Sequence, residues 1–121
     1  MPTLIDQPIR VPSGGNVPME IDEYVGRAGT GEAGVSIAVL RSPAGFVEPA
    51  QRPDFDEYTL VLRGTLRIEH DGGFLDVRAG QAVVVRRGER VRYSSPHEGG
   101  AEYIAVCLPA FSLEAAHRDP E

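Results

Sequence analysis

Apolar and β-branched residues fall along this chain in short runs divided by turn-forming residues, and nowhere at a sustained helical spacing. From residue 35 onward the runs are VSIAVL, EYTLVL, TLRIEH, FLDVRA, QAVVV, RVRYS and EYIAVCL. Between them lie RSPAG, RG, DGG, AG, RRGE and SPHEGG, all of them turn sequences. The stretch TLRIEHDGGFLDVRA predicts a hairpin, with Asp71, Gly72 and Gly73 supplying the positive φ angles of a tight turn. Strands this short and this regularly spaced, with no amphipathic helix between them, predict an antiparallel sandwich or barrel.

The flanks read differently. Residues 1–34, with PSGGNVP and GRAGTGEAG, are rich in glycine and proline and predict an extended arm with at most a short edge strand in MEIDEYV. At the other end FSLEAAHRD predicts a turn or two of helix, with Ser112 as N-cap and Glu114 in its first turn. The expected organisation is one domain: an arm over 1–34, a barrel over 35–110 and a tail over 111–121.

Charge and composition remove several function classes. The chain has 121 residues and a net charge of −6, and its 12 basic residues are all arginine. An acidic chain without a basic run is a poor partner for nucleic acid or anionic lipid. Without lysine there is no Schiff-base chemistry and no phosphate-loop lysine. The single cysteine, Cys107, rules out an internal disulfide and a cysteine-rich zinc site. The first residues lack the pattern of a signal peptide and no apolar run is long enough to span a bilayer, so a cytoplasmic protein is expected. The lysine-free coding style suggests a bacterial source.

Two motifs then sharpen the fold. Gly45, Gln51, Pro53, Glu57 and Gly64, followed by Gly80, Arg86, Gly88, Val91 and Ser95, hold the spacing of the two sequence motifs of the cupin family. The chain therefore resembles the cupins, small β-barrels of the jelly-roll, or double-stranded β-helix, type. The phrases FDEYTLVLRGTLRI and VRYSSP…AEYIAVCLPA are similar to the histidine-poor cupins of the ethanolamine-utilisation type. The resemblance implies an all-β, single-domain cupin barrel with an extended N-terminal arm and a short C-terminal helical turn. It also places Gln51, Pro53, Glu57 and Val91 where cupins bind metal. Only Glu57 keeps the family identity: proline and valine offer no donor, and a glutamine amide is a feeble one.

In the cupin register Gln51, Pro53, Glu57 and Val91 point into the barrel mouth, and strand alternation adds Thr59, Val61 and Tyr93. Glu57 needs donors or a cation there, from Gln51, Tyr93 or an arginine such as Arg52 folding over the rim. Partial support would raise its pKa and suit it to acid–base work, with Tyr93 orienting the substrate. Tyr103 and Cys107 share one face of EYIAVCLP, so both line the pocket if that face is inward, whereas Tyr58 should face outward. Asp54 and Asp56 read as turn-capping residues, His70 and His117 as surface residues, and Arg86, Arg87, Arg90 and Arg92 as a solvated, salt-bridged loop.

The function expected from this set is a cupin-fold small-molecule enzyme or binding protein that needs no metal. Glu57 would serve as acid or base in an isomerase-, cyclase- or lyase-type reaction. One alternative is a dioxygenase-like metal-dependent cupin holding a divalent transition metal on Glu57, His97 and Gln51. Another is a non-catalytic ligand sensor or scaffold. The expected partners are a small-molecule ligand and a second copy of the chain in a homodimer joined through the outer sheet, with the arm crossing to that copy.

Overall fold

The structure is a computed structural model and describes residues 1–120. Its strands are β1 (Ile9–Val11), β2 (Glu20–Val25), β3 (Ser36–Ser42), β4 (Phe46–Val47), β5 (Asp56–His70), β6 (Gly73–Arg78), β7 (Ala82–Val85), β8 (Arg92–Ser95) and β9 (Ala101–Leu108). One helical turn, α1 (Leu113–Ala116), follows them. Every strand pairing is antiparallel. The first sheet runs β1-β2-β3-β9-β5-β7, and the second contains β4, β8, β5 and β6.

The long strand β5 belongs to both sheets and curls one onto the other. Its N-terminal half pairs with β7 and β9, and its C-terminal half with β6 and β8. The dipeptide Arg63-Gly64 was expected to form a turn between two strands. Instead the register against β9 shifts between Val61 and Arg63, and Gly64 has φ of 76°, which bends one continuous strand of 15 residues. A side chain at Gly64 would collide with the backbone of Gly100, so glycine is demanded by both conformation and space. The expected hairpin is present, with His70 opposite Gly73, although only Gly73 of its turn has a positive φ.

The arm is more ordered than an extended segment. β2 lies where the edge strand was expected and pairs with β3, and β1 pairs in turn with β2. These pairings lie within one chain. Glu23 fixes the loop after β2, accepting from the backbone N–H groups of Ala28 and Gly29 at 2.9 Å each. Ser112 caps α1 by accepting from the Ala115 N–H, with Glu114 in the first turn, as the sequence predicts.

The interior has two parts. The larger packs Phe46, Val61, Leu66, Ile68, Val91 and Tyr93 between the sheets. The smaller sets Phe55 and Cys107 against Ala116 and Phe111, with the rings of Phe55 and Phe111 edge-to-face at 5.7 Å. This second cluster anchors the tail beside residues 50–54. There the N–H groups of Arg52, Asp54 and Asp119 donate to the carbonyls of His117, Ala115 and Ala50, and Gln51 bridges both Val91 and Arg118. The C-terminal tail thus becomes part of the barrel mouth.

Candidate functional site

Alternation along β5 and β9 turns Glu57, Tyr103, Ala105 and Cys107 toward the barrel interior. Between them and β2, β3 and the tail lies a cavity of about 80 Å³. That volume suits several waters or a solute of a few heavy atoms. Gln51, Glu57, Tyr93, Tyr103 and Cys107, all named from the sequence, border it. Glu23, Glu48, Phe111 and Arg118, which the sequence reading missed, border it too.

The other expected pocket residues are placed elsewhere. Thr59, Val61 and Val91 point inward but are packed in the interior and do not line the cavity. Arg52 is exposed and donates to the carbonyl of Gly88 at 2.7 Å, because its neighbour Gln51, not Arg52, is the inward residue of this segment. The rim arginine is Arg118. Its Nε donates to Gln51 Oε1 at 3.3 Å, its Nη2 lies 3.8 Å from Glu48 Oε2, and its guanidinium sits 5.6 Å from the Phe111 ring centre.

Glu57 is pushed up to about 8, chiefly by burial and then by the neighbouring Glu48 carboxyl, with Arg118 and Tyr93 opposing. Glu48 is pushed up to about 7 by burial, with Arg118 opposing. One arginine is shared by two carboxyls, so at neutral pH the pair retains a proton. Burial pushes the Cys107 thiol up and with it both tyrosines, so none of the three is an anion near neutrality. A thiol in that state is a small apolar side chain and no nucleophile.

Tyr93 carries the most telling feature. It is 3% exposed; its hydroxyl lies close enough to Glu57 to hold that carboxyl's pKa down, yet falls outside good hydrogen-bonding geometry with it and meets no other described partner. A buried hydroxyl left without a partner costs about 1–3 kcal/mol. At a cavity wall, such a group marks where a ligand or water would complete the bonding.

A wider, open depression of about 580 Å³ lies on the other side of Glu48, lined in part by Glu69, Arg90, Arg92 and Asp119. Its charges are already matched: Arg90 lies 2.5 Å from Asp119, and Arg92 lies 3.0 Å from Glu69. Arg86 and Arg87 are likewise held by Asp56, whose carboxyl accepts from the Arg87 N–H. Tyr58 faces outward and accepts from Arg86 at 2.9 Å. Asp54 meets His117 at 2.6 Å, and His70 Nδ1 accepts from the Gly72 N–H.

The residues do not fit the metal that cupins commonly hold. Gln51 and Val91 are bridged and Glu57 is close by, so the family's ligand positions do converge. Yet Pro53 and Val91 have no donor, and Gln51 Oε1 is occupied by the Arg118 guanidinium. The alternative set with His97 is not assembled. His97 Nε2 lies 3.0 Å from Asp76, which also binds Arg67, because the turn after β8 folds over β6 and away from the cavity. Among the described residues no group of three histidine, cysteine, aspartate or glutamate side chains is placed to hold a metal ion.

Residues 42–121 match the AraC-like ligand-binding domain family. The chain belongs to that family. Its fold is the cupin fold, shared with an ethanolamine utilization protein Q of Salmonella typhimurium at a TM-score of 0.67 and 17% identity, over 87% of this chain and 98% of the other. A single-residue variant of Bacillus subtilis oxalate decarboxylase aligns at a TM-score of 0.74 and 16% identity, over 98% of this chain and 33% of the enzyme. In sequence the domain is similar to the Myxococcus xanthus endoribonuclease YbeY, 43% identical over 99 residues. That match covers 82% of the chain but 34% of the relative, so the domain spans about a third of that protein's length. Within the described residues, no helix of this AraC-like domain is long and apolar enough to cross a membrane.

Proposed function

We propose that this AraC-like domain binds a small polar molecule in the cavity beside Glu57, and that Glu57 exchanges a proton with it. The unpartnered Tyr93 hydroxyl carries this reading, because it is a buried donor and acceptor aimed at a carboxyl that holds a proton near neutrality. As an enzyme, Glu57 would take a proton from one substrate atom and return it to another, with Tyr93 hydrogen-bonding the group where charge develops. Glu48 and Arg118 would set the proton affinity of Glu57. Such a transfer suits isomerisation, cyclisation or elimination and asks nothing of a metal.

The test is binding and turnover of polar fragments of a few heavy atoms, followed by NMR on wild type and Glu57→Gln. The reading expects fragments that shift the Tyr93 and Tyr103 resonances of the wild type and lose affinity in the variant. If Glu57→Gln leaves all binding and turnover unchanged, the reading fails. A sensory role without turnover is the second reading, supported by the family match and by a relative in which a similar segment is a minor part of a longer protein.

A second copy of the chain is the proposed protein partner. The outer face of the first sheet carries two apolar rows across four strands, Ile37-Val106-Tyr58-Val84 and Val39-Ile104-Leu60-Ala82. Beside them runs a row of alternating charge, Glu20-Arg41-Glu102-Arg63. A face that is apolar at its centre and edged by both charges complements itself under a two-fold axis.

A further inference from the structure

Given that the cavity is the ligand site, we infer that its ligand is a small organic ammonium ion with a short apolar stem, bound between Glu57 and the Tyr93 hydroxyl. Count the charges on the walls. Three carboxyls, Glu23, Glu48 and Glu57, face one cation, Arg118. Glu23 is already satisfied by two backbone N–H groups. Arg118 is committed to Glu48, Gln51 and the face of Phe111. Glu57 is left with no cation of its own.

The groups facing Glu57 from every packed element bear this out. Glu23 borders the same cavity from β2 and Ser36 from β3, while Glu48 approaches from the loop after β4, Tyr93 from β8, Tyr103 and Cys107 from β9, and Arg118 from the tail. The tyrosines and the thiol are neutral, and β7 offers only Val85 opposite Glu57. A cation entering here replaces the proton held by Glu57 without changing the charge of the site. An anion would add charge to a site whose Arg118 is already taken by Glu48, and a neutral molecule would leave Glu57 holding its proton. The Tyr93 oxygen has lone pairs free to accept an ammonium N–H. Tyr93, Tyr103 and Phe111 supply aromatic faces that attract organic cations, and Leu40 supplies an apolar wall for the stem. Free volume of about 80 Å³ limits the ligand to a few heavy atoms.

The experiment uses three probes of similar size, with four or five heavy atoms: n-propylammonium chloride, propan-1-ol and sodium propionate. Each is titrated at constant ionic strength into the full chain, by calorimetry and by NMR of the tyrosine rings. Propylammonium should bind at least about tenfold more tightly than either isostere near pH 8, a difference of one order of magnitude in affinity. Because it displaces a proton from a group that ionises near 8, its affinity should rise about fifty-fold from pH 6 to pH 8, with proton release to the buffer. Glu57→Gln, which keeps the shape, should remove both the preference and the pH dependence, and Tyr93→Phe should weaken binding. If propanol or propionate shifts the Tyr93 and Tyr103 resonances as well as the cation does, the ammonium class is wrong and the pocket stands. If no probe moves those resonances, the ammonium class is also wrong, and the fragment binding of Glu57→Gln decides the pocket separately.

Discussion

Replacing Tyr93 by phenylalanine should stabilise the protein while impairing its site. Deleting a hydroxyl that has a partner ordinarily costs about 1 kcal/mol. Here the ring is packed among Phe46, Val61, Ile68 and Val91, and phenylalanine keeps that packing. The hydroxyl is buried and makes no well-formed hydrogen bond within the protein, so its removal relieves a desolvation penalty and forfeits only a weak approach to Glu57, itself protonated at pH 5. The expected gain is about 1 kcal/mol. For a chain of 121 residues this corresponds to a rise in Tm of about 4 °C. Thermal unfolding at pH 5 reads the effect most cleanly, because both cavity carboxyls are then protonated in the folded state. A fall in Tm of about 4 °C in Tyr93→Phe would show that the hydroxyl is bonded in solution and would refute the orphan-group argument.

Other predictions concern the same cavity and the outer sheet. Glu48 and Glu57 have folded pKa values above their unfolded ones, so the folded state binds more protons over that interval, and stability falls as pH rises. A loss of up to about 6 kcal/mol is expected between pH 5 and pH 8, seen by urea unfolding, with Glu57→Gln showing about half the slope. Asp22 and Asp76 are lowered by their arginines, Asp76 to about 2, and Asp56 chiefly by the Arg87 backbone N–H; their opposite contribution is complete below that window. Arg118→Gln should cost about 1 kcal/mol at pH 5 and about 1–2 kcal/mol more at pH 8, where the ionised carboxyls lose the Arg118 cation. Equal losses at the two pH values would refute that role. Leu60→Arg places a charge in the apolar rows of the first sheet, and sedimentation should show a dimer for the wild type and a monomer for the variant.

Most strands were legible because β-branched runs and turn signals coincide with real edges, as in β3, β6, β7 and β9. Two strands were not. β4 has two residues and β1 has three, too few for any periodicity to show. Gly64 misled because a glycine after arginine signals a turn locally, while its role as the bend in β5 depends on Gly100, far along the chain. Cupin spacing and strand alternation placed Gln51, Glu57 and Tyr93 together with Tyr103 and Cys107. Arg118 and Glu48 were out of reach because their meeting depends on the tail pairing with residues 50–54. The one signal for Glu48 was its position within the first motif, three residues before Gln51. His97 failed as a candidate ligand for the same kind of reason: Asp76, on β6, claims it across the fold.

The most direct test of the account is the protonation of the two cavity glutamates, followed by carboxyl carbon NMR on glutamate-labelled protein with Glu48→Gln and Glu57→Gln used for assignment. Two coupled steps near 7 and 8 are expected. Titration of both groups below about pH 5, in the range of exposed glutamate, would contradict it.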